Sequence, residues 1–396
     1  MSSRLTVLTL DQGHGVWGAQ RYLLRLAPLL AAQGIDLVLG GPAELELASV
    51  WSTAGWRRVH IPLPTTRSVR RDGDTGAISP VRMVREASGV PRVVRDIAQA
   101  SRNIGSDAIF SNGHWTHLDA ALASRLTGTP AVLHLHEQSV AGVASRMREA
   151  AVSLADATVA VSESVAACLS RGPRRKVSVI PNGVDVHELA PGHPDPEVRA
   201  QLGARPGETL VVALTRLDPV KRIEDVVEAV RLLGHRSDPG VHLAVVGTTS
   251  AYPDYAVRVE ELARRELGAR ATFVGHRSDI GDVLRASDVL IHAGTVEGMP
   301  LGLLEAQACG VPVVAYAAAG VAQAVKDGST GYVVPVGAVD QLSVQLARLV
   351  ADPALRSDMG AAGRKHVVRT HSLTGQASSL AALTREVVAV RQGVAA

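Results

Sequence analysis

Arg216 and Lys221 stand five residues apart in Leu214-Thr-Arg-Leu-Asp-Pro-Val-Lys-Arg222. The apolar run before Arg216 reads as a strand that delivers it at the carboxyl end, and Lys221 begins the next helix. Two cations across such a turn can converge on one diphosphate, the guanidinium as a planar fork and the ammonium as a point charge. Taken alone they fit a solvated surface equally well. Glu297 and Glu305 lie eight apart in the segment from Gly294 to Ala306. Glu297 falls in a glycine-rich turn, and Glu305 about one turn into a helix predicted to begin near Pro300, a natural first position. The amides of Gly298, Met299 and Leu301 then point out of the helix start toward an anion, and carboxylates beside an anion site suit hydroxyls, as on a ribose or a sugar. Gly13, Gly15 and Gly18 fit G-x-G-x-x-G between the first strand and the first helix, where backbone amides can approach a phosphate. A dinucleotide site also wants an acidic residue near the end of the second strand. Asp36 comes at its start, so a tight turn or another phosphate or sugar contact fits better. His134 and His136 share one face of an apolar run by period-two geometry, and single buried histidines are more often structural than catalytic.

These groups need a rigid frame, and the chain is long enough to build one. It has 396 residues, 46% of them hydrophobic and 20% charged, which suits two or three globular domains. Cys168 and Cys309 are the only cysteines, which excludes a zinc ribbon, an iron–sulfur site and a disulfide scaffold, and suits a reducing compartment. Aromatics make up 3%, too few for base-stacking platforms. The net charge is +3, with 41 basic and 38 acidic residues interspersed, short of a nucleic-acid-binding composition. Arg4 leads into a short apolar strand and not into a signal-peptide core, and no apolar run reaches the ~18 residues of a spanning helix. Asp72-Gly73-Asp74 is nominally a D-x-D metal motif, but without a preceding strand it reads as a turn.

Short β-branched runs alternate with amphipathic stretches throughout. Strands are predicted at Arg4–Leu10, Asp36–Leu39, Arg58–Ile61, Ala108–Ser111, Ala131–Leu135, Ala157–Val161 and Val177–Ile180. A second series follows near Leu210–Thr215, His242–Val246, Thr272–Val274, Val289–His292 and Pro312–Ala315, and then a helical tail from Ala338 to about Val390. Alternation with continuous apolar strands means parallel sheets covered on both faces. Prolines 191, 194 and 196 interrupt the pattern and cannot join a sheet interior. The expected fold class is therefore α/β with two Rossmann-like domains: residues 1–187, a linker at 188–208, a second domain at 209–375, and a terminal helix at 376–396. Residues 65–102 carry eight arginines. They read either as a solvated loop and polar helix face or as an electropositive surface for an anionic acceptor or lipid headgroups.

The order of these pieces is more specific than any one of them. Together with the His136-Glu137 strand end, Val161-Ser162-Glu163, Val179-Ile180-Pro181-Asn182-Gly183-Val184-Asp185, Phe273-Val274-Gly275-His276 and the long block from Glu297 to Val314, the sequence resembles the retaining family 4 glycosyltransferases over nearly its whole length. The resemblance implies the GT-B fold, with two facing Rossmann-like domains, a cleft between them, and the terminal helix at 376–396 packing back on the first domain. It implies that Arg216, Lys221, Gly13, Gly15 and the Gly298–Met299–Pro300–Leu301 turn bind the donor diphosphate, with Glu305, Gly275 and His276 at the nucleoside. Glu297 and His136 would be the catalytic residues beside the transferred sugar, and His14 and His114 would lie near the acceptor. Thr215 and Arg222 stand where glycines usually flank the cation pair, Gly247-Thr-Thr-Ser250 replaces a usual Gly-Asp-Gly-Pro, and Gly294 takes a common serine position.

The implied activity is transfer of a hexosyl group (glucosyl, N-acetylglucosaminyl or mannosyl) from a nucleotide sugar, expected to be a UDP-sugar, to a hydroxyl acceptor, lipid-linked or an aminocyclitol. Stereochemistry would be retained by front-face attack, with the leaving phosphate taking the acceptor proton. No cofactor and no metal are expected, because Arg and Lys can neutralise the leaving diphosphate. The rivals are a nucleotide-sugar 2-epimerase of the same fold and a non-catalytic nucleotide-sugar-binding protein. The expected location is the cytoplasm, with peripheral membrane contact through the Arg-rich segment as an option.

Overall fold

A computed structural model describes residues 4–12, 15–16, 18–64, 80–138, 142–234, 240–249 and 252–393. The chain divides into two compact units: Met1–Ile180 with Gln376–Ala396, and Pro181–Gly375.

In the first unit seven parallel strands run β1 (Leu5–Leu10), β2 (Ile35–Gly41), β3 (Arg58–His60), β4 (Ala108–Ser111), β5 (Ala131–Leu135), β6 (Ala157–Ala160) and β7 (Val177–Val179), in the spatial order β3-β2-β1-β4-β5-β6-β7. Most are buried along their length, β1, β4, β5 and β6 nearly completely, as a sheet covered on both faces demands. The helix Gly18–Ala32 buries Tyr22, Leu23, Leu26, Ala27 and Leu30, one stripe at three- and four-residue spacing. The helix Pro80–Ile104 buries Val93, Val94, Ile97 and Ala98, while Val84 stays exposed. Of the final helix, Leu373–Arg391, the residues from Gln376 belong to this unit. Its Leu380 and Thr384 close over Val7, Leu30, Ile35, Leu37 and Phe110, and Arg385 donates to the Gln33 carbonyl.

The second unit has six parallel strands, β8 (Thr209–Leu214), β9 (Val241–Val246), β10 (Ala271–Gly275), β11 (Val289–His292), β12 (Val313–Tyr316) and β13 (Gly331–Val334), ordered β10-β9-β8-β11-β12-β13. The strand β13 was not foreseen. Its four residues lie between a turn and Pro335, too short a run to stand out by periodicity. Residues 188–208 lie within this unit and hold the helix Pro196–Gln201, whose Asp195 cap accepts from the Glu197 amide at 2.8 Å. The segments where the chain enters and leaves the unit are paired: Val184 donates to the His371 carbonyl and Leu373 to the Val184 carbonyl, both at 2.9 Å.

Both sheets are doubly wound, and the strand order reverses at β1/β4 in one and at β8/β11 in the other. Such a reversal leaves a crevice at the strand carboxyl ends, where ligands bind in open α/β sheets. Among the described residues no helix is long and apolar enough to cross a membrane.

Candidate active site

In the second unit, β8 ends at Leu214 and Arg216 follows as an exposed residue with its guanidinium 3.8 Å from Asp218. Asp218 caps the single turn Pro219–Lys221 by accepting from the Val220 amide. At the adjacent strand end, Thr295 donates its amide to the Val220 carbonyl at 2.9 Å, which ties the turn carrying Lys221 to the loop carrying Glu297. The two side chains meet: Lys221 Nζ lies 2.5 Å from Glu297 Oε1, and His292 Nε2 lies 2.9 Å from the same oxygen. Glu297 and His292 are both 8% exposed. Burial alone would push the Glu297 carboxyl up, but the neighbouring His292 and Lys221 outweigh it and hold the group down to about 2. Glu297 is thus a buried anion, and Oε1 takes both donors.

Gly294 makes this arrangement possible. A Cβ there would stand 2.3 Å from Glu297 Oε1 and 2.6 Å from His292 Nε2. The helix that follows is Leu301–Ala308, with Pro300 as its cap at φ −70°, ψ 117°. Pro300 therefore precedes the first helical residue and does not occupy it. It carries no N–H, so only the amides of Gly298, Met299, Leu301 and Gly302 are available to an anion at this end. The turn is held from behind: Met299 is buried and its carbonyl accepts from Asn182 Nδ2 at 3.0 Å. Gly320, at φ +77°, lies so close to the Gly298 carbonyl that a Cβ would sit 1.8 Å from its oxygen. Glu305 is half-buried in the second turn of the helix. Gly275, at φ +76°, accepts from the Gly247 amide at 2.9 Å, and His276 beside it is exposed.

Arg222 has a backbone at φ 51°, ψ 49°, the only described non-glycine residue at positive φ. The left-handed turn before the helix Ile223–Leu232 explains why glycine suits this place. Here the guanidinium holds the conformation by pairing with Asp225 at 2.8 Å and Glu224 at 3.0 Å. Asp225 is itself fixed by Tyr316 Oη at 2.9 Å. Arg222 is thus engaged in the local fold.

In the first unit, β1 ends at Leu10 and β4 at Ser111, which places Asp11 and Asn112 side by side at the order reversal. Asn112 Nδ2 lies 2.6 Å from Asp11 Oδ2, and Gln20 Nε2 reaches the same carboxylate at 3.1 Å. Just beyond β5, half-buried His136 places Nε2 2.8 Å from Asn112 Oδ1. Its ring lies 4.0 Å from that of His134, which is fully buried with both ring nitrogens unpartnered. Burial, followed by the nearby His114, pushes His136 down to about 4, so the imidazole is neutral at physiological pH. His114 is half-exposed, 3.5 Å from Glu137. Gly15 is buried; Gly13, His14 and the Asp72-Gly73-Asp74 motif lie outside the described residues.

The structure brings Lys221, Glu297 and the Gly298–Leu301 turn together at one sheet reversal, and His136 and His114 to the other. Sequence reasoning missed His292, Asp11 and Asn112. Each stands at the carboxyl end of a core strand, a position that the predicted topology marks as functional. Among the described residues no cluster of His, Cys, Asp and Glu could hold a metal ion.

Comparison with known proteins gives the family. Residues 16–188 match the model described as Glycosyltransferase Family 4, and residues 194–366 match Glycosyl transferases group 1. The chain is 30% identical over 308 residues to an alpha-maltose-1-phosphate synthase of Mycobacterium tuberculosis, covering 70% of this chain and 78% of that protein. It is 32% identical over 268 residues to a D-inositol 3-phosphate glycosyltransferase of Rhodococcus erythropolis, spanning 64% of this chain but 58% of that relative. The fold is that of an Anabaena protein, Alr3699/HepE, crystallised with UDP and glucose: TM-score 0.79 at 21% identity, over 96% of this chain and 99% of that one. It is also that of the sucrose-phosphate synthase of Thermosynechococcus elongatus, with TM-score 0.78 at 22% identity over 98% and 100%. Two parallel-sheet Rossmann-like units of the GT-B type, matched by both family models in chain order, make this chain a member of glycosyltransferase family 4.

Proposed function

We propose that the chain is a retaining hexosyltransferase that uses a UDP-sugar donor and a hydroxyl acceptor, without a metal, in the cytoplasm. The observation that carries this reading is the Lys221–Glu297–His292 constellation at the β8/β11 reversal, beside the Gly298–Leu301 turn that opens the helix Leu301–Ala308. Arg216 and Lys221 neutralise the diphosphate. Glu305 holds the ribose, and Gly275 and His276 border the base. Glu297 keeps Oε1 on Lys221 and His292 and turns Oε2 to the hydroxyls of the transferred sugar. His136 is assigned to the reacting sugar, Gly13 and Gly15 to the donor phosphates, and His14 and His114 to the acceptor. Front-face attack asks for charge neutralisation and positioning, which these fixed groups supply, and it needs no covalent nucleophile.

Titration calorimetry tests the clamp. Arg216→Ala and Lys221→Ala should each weaken UDP binding by about 10- to 100-fold, the loss of one charge-assisted hydrogen bond. Unchanged affinity in both variants would remove them from the site. Product anomer analysis by NMR with a panel of nucleotide sugars then gives the donor and the stereochemical course.

A further inference from the structure

We infer that Asp11 and Asn112 are positioning residues that fix the proton of His136 on Nε2, so that His136 meets its ligand through Nδ1 as a hydrogen-bond acceptor only. The relay follows from which atoms can donate. Asp11 is buried at 3% exposure and Asn112 at 2%. Gln20 Nε2 donates to both Asp11 oxygens, at 3.1 and 3.3 Å, which suits the ionised form. An ionised carboxylate accepts and never donates, so the asparagine atom 2.6 Å from Asp11 Oδ2 is the amide nitrogen. The reverse orientation would set two oxygens against each other at that distance. With Nδ2 committed to Asp11, Asn112 presents Oδ1 to His136. A carbonyl oxygen accepts, so Nε2 must carry the hydrogen, and a neutral imidazole with Nε2–H has a bare Nδ1. No described residue bonds to Nδ1 of His136.

The members of the relay are held from several sides. The Asn112 amide donates to the Leu10 carbonyl at 3.0 Å, and the Asp11 amide to the Gly40 carbonyl at 3.2 Å. Gly41 packs against Asp11, where a Cβ would stand 2.4 Å from its carbonyl oxygen. Tyr22 meets the His136 ring edge-on, with centroids 5.9 Å apart, and the His134 ring lies 4.0 Å from it. The chemical consequence is selective. A bare Nδ1 accepts from a hydroxyl, on a sugar or an acceptor, and repels a phosphate oxygen. What Nδ1 meets rests on the assignment of His136 to the reacting sugar; the relay itself does not.

The test is long-range nitrogen–proton NMR of the histidine rings in the full chain at neutral pH, with the His136 signals assigned by their loss in His136→Gln. The wild-type protein should show the Nε2–H tautomer at His136. Asp11→Asn lets residue 11 donate, so Asn112 can turn over and offer Nδ2 to His136, and the Nδ1–H tautomer should then appear. A wild-type Nδ1–H tautomer or imidazolium would overturn the relay without any variant. So would an Asp11→Asn spectrum unchanged at His136. Turnover is read separately: Asp11→Asn should lower it about 10- to 100-fold, the scale of one mis-set hydrogen bond. If the tautomer responds as described while Asp11→Asn and His136→Gln both keep full turnover, the site assignment of His136 fails and the relay stands.

Discussion

Glu297→Gln should make the second unit less stable at neutral pH and no less stable in strong acid. The Glu297 carboxyl moves from 4.5 to about 2 on folding, because His292 and Lys221 outweigh the cost of its burial. At about 1.4 kcal/mol for each tenfold change, that difference is worth about 3 kcal/mol. The group is 8% exposed, so solvent screening removes little of it. The sign follows from the lowered pKa: the unfolded chain binds the proton more tightly, so the stabilisation is complete above about pH 4.5 and fades as pH falls toward 2. The gap between wild type and Glu297→Gln should therefore be about 3 kcal/mol at pH 6, fall to about 1 kcal/mol at pH 3, and vanish below pH 2. All four tryptophans (17, 51, 56 and 115) belong to the first unit, while Tyr252, Tyr255, Tyr316 and Tyr332 belong to the second. Urea unfolding followed by tyrosine near-ultraviolet circular dichroism reports the effect, and tryptophan fluorescence serves as the control that should not move. A gap that stays constant from pH 6 to pH 3, or no gap at pH 6, would refute the ion-pair account of Glu297.

Glu305→Ala should weaken UDP and UDP-sugar alike, whereas Glu297→Ala should spare UDP affinity and lower turnover by ~10²–10³-fold; calorimetry with both ligands decides it, and equal losses in the Glu297 variant would make that residue a brace only. Turnover should survive EDTA, since Arg216 and Lys221 supply the positive charge. Loss on chelation with recovery in magnesium or manganese would refute the neutralisation argument.

The strands were legible because a parallel sheet needs continuous apolar runs: Ala108–Ser111, Ala131–Leu135 and Val289–His292 coincide with β4, β5 and β11. The Gly331–Val334 strand was not, because four residues between a turn and a proline carry no period. The prolines at 191, 194 and 196 suggested a linker, yet Pro196 is the first residue of a helix, where its missing N–H costs nothing. At the candidate site, residue types and spacing were enough to single out Lys221 and Glu297. That the two share an oxygen with His292 was not visible, because His292 looks like one more residue of an apolar strand until the fold turns Glu297 back onto it. Arg222 shows the opposite limit: only the backbone reveals that a glycine-like conformation is held there by two ion pairs.

That the last stretch of the chain completes the first unit has a consequence for its biosynthesis. Residues 1–180 leave the ribosome with the apolar surface of Val7, Leu30, Ile35 and Leu37 uncovered, because Leu380 and Thr384 are still to be made. About 200 residues intervene, which at ~5–20 residues per second is a delay of ~10–40 s. During that interval the second unit can fold as a continuous segment, while the first waits with an open seam for its final helix. The nascent chain is therefore most exposed to chaperones, and to aggregation, through the unit that was synthesised first.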